Sequence, residues 1–478
     1  MARSNRRQPA LTRESLRGAR VTVVGLGREG LALARFLAGA GAVVTVTDRQ
    51  SEEALASRLA TLRDLSLRYA LGGHPDWALE ADVIFVSPGI QRSIPFLAEA
   101  SRRGIRLSSE TELFFSLCPA PIIGITGSSG KTTTTMLVGE MLKAAGFTTW
   151  VGGNIGQPLL NDSDKIAAAH RVVLELSSFQ LEHLACSPHI GAILNVTPNH
   201  LDRHASMQEY IEAKRQIVAH QRRGDAGVFG YDDPEARRLG ENYSRRRNAG
   251  STVWFSGESD VARGACLQDQ SITVVGAAGR QRVCERGEIQ LRGWHNLLNV
   301  LAACAIAAEA GAPAEAMRQA ATRFAGVEHR LELVREVGGV RYVNDSIATS
   351  PERSMAALRS YDEPIVLLAG GRDKHLPWEA WADLAVRRVR ALVLFGEAAG
   401  LIERAIAEAF QRNAGAAGLR LQPDAVRHVA TLEEAVQTAA GLARPGDVVL
   451  LSPGGTSFDA FVDFAQRGER FRQLVHAL

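Results

Sequence analysis

Cysteine is scarce and scattered: Cys118, Cys186, Cys266, Cys284 and Cys304 are spread over 478 residues, and no CxxC pair occurs. An odd, dispersed set argues against a disulfide framework or a zinc site and fits reduced thiols in a cytoplasmic protein. Long apolar runs are missing as well. Nowhere do about 18 uncharged apolar residues follow one another, as a membrane helix requires. No apolar stretch precedes Val21, so a secretory leader is not expected. Nor does one charge prevail: 55 Lys and Arg face 52 Asp and Glu, for a net charge of +3. That balance is no nucleic-acid footprint. The one basic cluster, with arginines at 3, 6, 7, 13 and 17, lies in residues 1–19 and reads as a flexible, solvated tail. Nucleic acid and membrane are therefore not expected as partners.

What is there is enough for several full cores. Apolar residues make up 46% of the chain, and its length suggests roughly three domains. From Arg20 the order is strand, Gly-rich turn, helix, strand: Val21-Thr-Val-Val24, then Gly25, a helical pattern over 31–40, and Val43 to Thr47 ending at Asp48. Ala81 to Val86 is a further strand. A second α/β unit begins at Pro121, where Ile122-Ile123 leads into a Gly-rich turn and a helix. It continues through strands at Val172 and Ala192, and an Ala/Leu-rich helix over 296–310 closes it. Residues 227–291 read as a β-rich excursion from that unit. A third unit starts near Val327, with strands at 340–343, 365–368, 391–395 and 448–451. Alternating strands and helices imply parallel, doubly wound sheets. The expected architecture is α/β with three domains: 20–117 and 326–478 Rossmann-like, and 118–325 of the P-loop ATPase type.

The strongest local signal is Gly124-Ile-Thr-Gly-Ser-Ser-Gly-Lys-Thr132, which follows an apolar strand and opens a helix. Glycines let backbone N–H groups point at phosphate oxygens, and a helix N-terminus adds positive potential. Gly127, Ser128, Ser129, Gly130 and Thr133 would line this ATP site, with Lys131 reaching the β- and γ-phosphates and Thr132 ligating Mg²⁺. Glu175 ends an apolar strand, where a carboxylate beside a phosphate loop serves as a Mg²⁺ ligand. The loop Asn195-Val-Thr-Pro-Asn-His-Leu-Asp-Arg203 adds His200, which by itself reads as a structural histidine. Gly25-Leu-Gly27-Arg-Glu-Gly30, with Asp48 eighteen residues on, is a lone GxGxxG, and such a turn serves a dinucleotide or a UDP equally well.

These motifs occur in one order with Gly293-Trp-His-Asn-Leu-Leu-Asn299, with Phe324, Gly326, His329, Arg330 and Glu332, and with Asn344-Asp-Ser346. From about Arg20 to its end the chain resembles the Mur ligase family. Val151-Gly-Gly-Asn-Ile-Gly156 and the C-terminal Leu451-Ser-Pro-Gly-Gly-Thr-Ser-Phe-Asp-Ala-Phe-Val-Asp-Phe-Ala-Gln-Arg-Gly468 resemble its glutamate-adding branch. The resemblance implies a monomeric, ATP-dependent ligase that joins glutamate to UDP-N-acetylmuramoyl-L-alanine through an acyl phosphate. It assigns Gly27, Arg28, Glu29, Asp48, Arg49, Ser87, Gly89, Asn154, Ser177, Gln180 and Arg203 to the UDP substrate. Lys131, Glu175, His200 and Lys214 would carry the chemistry, with Thr132, Glu175, His200 and a carbamylated Lys214 around the metal. Read without the family, Lys214 is an ordinary helix-surface lysine. Asn296, Asn299, Arg330 and Asp345 would contact ATP, and Thr349, Lys374, Ser457 and Phe464 would hold glutamate.

Ser128-Ser129 and Ile347 depart from the family's commoner residues, as does the surround of Lys374. The last two leave open whether D- or L-glutamate is the substrate. Outside the family, Gly25–Gly30 alone would suit a nicotinamide oxidoreductase, and Lys131 alone would suit a P-loop ATPase that drives movement. Neither explains the remaining motifs.

Overall fold

The valine- and isoleucine-rich runs do form strands, since β-branched side chains fill both buried faces of a parallel sheet. The computed structural model describes residues 11–478 except 92, 157, 183, 199–202, 278, 375 and 414–417. The chain divides into two compact units. One runs to Ile289 and takes back Trp294–Arg323, and the other holds Gln290–Gly293 and Phe324–Leu478.

The first unit carries two sheets. Five strands lie in the order Arg68–Leu71, Val43–Asp48, Arg20–Val24, Val83–Val86 and Arg106–Ser108, all parallel. The strand order reverses between Arg20–Val24 and Val83–Val86, and ligands of open α/β sheets bind at such a switch point. The Gly-rich turn after Val24 sits there. Its helix, Arg28–Gly39, packs so tightly on the turn that a Cβ at Gly30 would lie 2.0 Å from the Gly25 carbonyl oxygen. One expectation is corrected: from Leu11 onward the basic tail is ordered. Thr12 and Ser15 form a capping box on the helix Arg13–Leu16, Leu11 and Leu16 are buried, and Arg13 pairs with Asp164.

The second sheet has nine strands. Its centre is Ala226–Gly230, Ile190–Ile193, Ile122–Thr126, Arg171–Glu175 and Thr149–Gly153, parallel and adjacent in that order. The β-rich excursion extends the same sheet, with Ser251–Ser256 and Gly264–Gln268 parallel and Ser271–Gly276 and Gly279–Glu285 antiparallel. The helices Lys131–Ala144 and Trp294–Glu309 cover one region of it, ten residues of the latter being buried.

The second unit is one six-stranded sheet in the order Glu332–Val337, Val340–Asn344, Val448–Gly454, Ile365–Gly370, Val389–Phe395 and Val426–His428. Only the first pair is antiparallel. Along Ile365–Gly370 all six residues are buried. Ile365, Leu367 and Ala369 enter one core, and Val366 and Leu368 the opposite one. Helices therefore cover both faces, and the strand ends are left for chemistry.

Candidate active site

The phosphate loop grows from the fully buried strand Ile122–Thr126. At its end Gly130 adopts φ +81°, and a Cβ there would lie 2.2 Å from Asn299 Oδ1. Only glycine fits that corner without strain. The helix Lys131–Ala144 then begins with no side-chain cap, so its first amides face the loop. Asn195 holds the loop in shape: its carbonyl accepts from Ser128 N at 3.0 Å and its Oδ1 from Ser129 N at 2.9 Å. The Ser128 hydroxyl donates to Thr197 O at 2.9 Å and lies 3.0 Å from the Tyr210 hydroxyl.

Four of the expected catalytic and metal residues meet around this loop. Lys131 Nζ curls back to donate to Gly127 O at 2.9 Å. Thr132 Oγ1 donates to Glu175 Oε2 at 2.7 Å, and Asn154 Nδ2 donates to Glu175 Oε1 at 2.9 Å. Lys214, on the helix Met207–Ala219, donates from Nζ to Gly127 O at 2.9 Å and to Thr126 Oγ1 at 3.4 Å. It is 1% exposed, so it is no surface lysine. Burial, and then the charge of Lys131, push its pKa well below the usual lysine range, while Glu175 opposes them. Lys214 makes no ion pair among the described residues. Asn299 is tied to Asn296 by a 3.1 Å hydrogen bond and accepts from Thr134 Oγ1 at 3.5 Å, and Thr133 is buried on the loop's helix. His200 lies outside the described residues.

The residues expected to bind the UDP substrate join the first sheet to the second. Asp48 Oδ2 accepts from Leu26 N at 2.7 Å, and Ser87 Oγ donates to Gly25 O at 2.9 Å, so both brace the Gly-rich turn around Gly27. Arg28 donates to Gly156 O at 2.8 Å and to Gly153 O at 3.2 Å. Gln180 Nε2 donates to Glu29 Oε1 at 2.9 Å, and Gln180 Oε1 accepts from Ser177 N. Arg203 donates to Gly89 O at 2.9 Å, whereas Arg49 is exposed. Glu29 hides a feature that motif reading missed. Its Oε2 is buried without a partner, and burial pushes its pKa up to about 7 despite Arg28. The buried Glu110 nearby is pushed up to about 8, by burial first and Glu29 second. Glu110 belongs to no phosphate or metal motif, so only the packing reveals it.

In the second unit Asp345 directly follows the strand Val340–Asn344. It accepts from Ser452 Oγ at 2.8 Å and from Leu331 N at 3.3 Å, and burial raises its pKa to about 7. Arg330 lies in a strained loop, flanked by His329 at φ +62° and Leu331 at φ +46°. Thr349 follows the same strand end and donates its N–H to Ile347 O. Ser457 is buried and Phe464 opens the last helix, Phe464–His476. Lys374 is held below the ordinary lysine range by partial desolvation and then by Arg353.

The likeness to known proteins follows this geometry. The profile of the Mur ligase middle domain matches residues 125–307. That of the Mur ligase glutamate ligase domain matches 329–455, and that of the MurD-like N-terminal domain 19–109. The UDP-N-acetylmuramoylalanine–D-glutamate ligase of Symbiobacterium thermophilum is 44% identical over 462 residues, 96% of this chain and 98% of that one. The chain belongs to the Mur ligase family. The correspondingly named protein of Acetivibrio thermocellus is 38% identical over 467 residues, 98% of each chain. Among solved structures, the UDP-N-acetylmuramate–alanine ligase of Thermotoga maritima shares the Mur ligase fold at a TM-score of 0.57 and 18% identity, over 96% of this chain and 99% of that one. No helix among the described residues is long and apolar enough to cross a membrane.

Proposed function

We propose that this Mur ligase joins D-glutamate to UDP-N-acetylmuramoyl-L-alanine with ATP, as cytoplasmic peptidoglycan synthesis requires. One observation supports it most: Lys131, Thr132, Glu175 and Lys214 converge on one phosphate loop in a chain 44% identical to a D-glutamate ligase along its length. In this reading residues 20–117 anchor the UDP, 118–325 hold ATP and 326–478 bind glutamate.

The alanine carboxylate attacks the γ-phosphorus of ATP and ADP leaves, giving an acyl phosphate. The amine of glutamate then attacks the acyl carbon, and the tetrahedral intermediate loses phosphate to form the amide. Lys131 moves from its own loop carbonyls to the transferred phosphoryl oxygens, where positioning and charge account for most of the rate. The Thr132 hydroxyl and Glu175 carboxylate, already 2.7 Å apart, suit Mg²⁺, which takes one or two protein oxygens and fills its octahedron with phosphate and water. Bound there, the ion would neutralise charge on the phosphates.

Lys214 fits carbamylation for a physical reason. Burial of the amine favours its neutral form, the form that is nucleophilic toward CO₂, and its carbamate would add a second anion beside Glu175. Mass analysis of intact and bicarbonate-depleted protein tests this: one CO₂ on the peptide containing Lys214 is expected. The reading of the substrate is tested by supplying D- and L-glutamate separately. Product from the D isomer alone is expected. Product from the L isomer alone would assign the chain to the L-glutamate reaction.

A further inference from the structure

Arg467 has no role in the reaction described so far, yet it is the most completely buried charged side chain of the second unit, with no exposed surface. It projects from the helix Phe464–His476 into two loops. Nε donates to Ser346 Oγ at 3.0 Å and Nη2 to Ser346 O at 2.9 Å. Nη1 donates to Thr456 O at 3.1 Å and Nη2 also to Gly455 O at 3.2 Å. Ser346 Oγ in turn donates to Phe464 O at 2.8 Å. The backbone closes tightly around the guanidinium: a Cβ on Gly371, at φ +92°, would lie 2.1 Å from Thr456 O and 2.8 Å from Arg467 Nη1.

Every acceptor is a carbonyl or a hydroxyl. Among the described residues Arg467 makes no ion pair, and the nearest charge acting on it is Asp459. Burial lowers its pKa to about 10, and the charge of Asp459 opposes that shift only in part. A leucine or methionine would leave the Ser346, Gly455 and Thr456 carbonyls without these donors, so the guanidinium is what holds the two loops together. The two loops it ties carry Thr349 on one side and Ser457 on the other, both assigned to the glutamate end of the reaction, and Asp345, assigned to ATP, precedes Ser346.

The geometry points to Arg467 as a positioning residue for the amino-acid substrate: it clasps the Ser346 turn to the Gly455–Thr456 loop and so fixes the two loops that carry Thr349 and Ser457. This rests on the reading of the C-terminal domain as the glutamate end. Steady-state kinetics of the full chain, with each of the three substrates varied in turn, test it. Arg467→Lys keeps the charge and loses the planar fork, and Arg467→Met loses both. KM for glutamate rises about ten-fold in the first and further in the second, while KM for ATP and for the UDP substrate stays within about two-fold. Ser346→Ala shifts KM for glutamate in the same direction by less, and combined with Arg467→Lys it adds less than the product of the two effects.

An unchanged KM for glutamate, or three KM values rising together, overturns the proposal. Should the Arg467 variants fail to fold, Ser346→Ala decides by the same split. The wild type run alongside separates two failures. If it forms no product from glutamate, the proposed activity is wrong. If it does, and the variants keep its KM for glutamate, only the positioning role falls.

Discussion

The phosphate loop and the amino-acid end are built in opposite ways. Residues 127–132 are contiguous, and their shape comes from a strand end, a left-handed glycine and a helix N-terminus. Asn195 and Glu175, from neighbouring strand ends, complete them. The proposed amino-acid end is discontinuous. Thr349, Lys374, Ser457 and Phe464 span more than a hundred positions, and a buried arginine knits two of their loops together. A contiguous site tolerates drift elsewhere in the chain, whereas a stitched one depends on a few long-range hydrogen bonds.

The largest expected effect separates the two regions by type. Lys131→Ala removes the cation that meets the transferred phosphoryl group, and kcat falls by about a thousand-fold. Lys374→Ala instead acts on affinity, raising KM for glutamate by about ten- to a hundred-fold with kcat less changed. Equal losses of kcat in both would break the distinction between a chemical and a binding end.

The contrast explains what could be read early. All three sheets, the Gly-rich turns and the loop from Gly127 to Thr132 were legible, because strand period, helix period and turn chemistry are local. Glu175 was legible as a carboxylate at a strand end. Lys214 was not: its helix has ordinary polar spacing, and burial comes from packing under the loop and against Tyr210. Glu110 and Arg467 were hidden for the same reason, since nothing local distinguishes a buried charge from a solvated one. The strands Glu332–Val337 and Val426–His428 were also missed. Both lie at sheet edges, with charged residues facing out, and so lack a continuous apolar run. The ordered stretch from Leu11 was obscured by its arginines, although two buried leucines anchor it.

A backbone test comes next in size. Gly130→Ala forces a side chain onto a left-handed corner against Asn299, costing about 1–3 kcal/mol in stability. KM for ATP should rise as well, and Asn299→Ala in the same protein should restore part of the stability. A glycine swap with no effect would mean that the corner relaxes freely.

The smallest effect is a pH dependence of stability. Glu29 at about 7, Glu110 at about 8 and Asp345 at about 7 all hold protons that the unfolded chain releases near its ordinary carboxylate values of 4.5 and 3.8. The folded state therefore binds more protons between those limits. Its stability declines as pH rises from about 5 through 8, by on the order of 1 kcal/mol per pH unit for each such group. Glu110→Gln, which stays neutral, should flatten the fall of Tm over that range, and Asp345→Asn should flatten it by less because only one acid is buried there. Lys214 acts in the opposite sense, so the test is the difference between wild type and variant: an equal pH dependence of Tm in wild type and Glu110→Gln would contradict the assignment.

The central claim is that the chain couples ATP to amide formation between a nucleotide-linked acid and an amino acid. Phosphate release from ATP, measured with each substrate omitted in turn, tests it most directly. Release is expected only when UDP-N-acetylmuramoyl-L-alanine and D-glutamate are both present. Steady release with either one absent would contradict it.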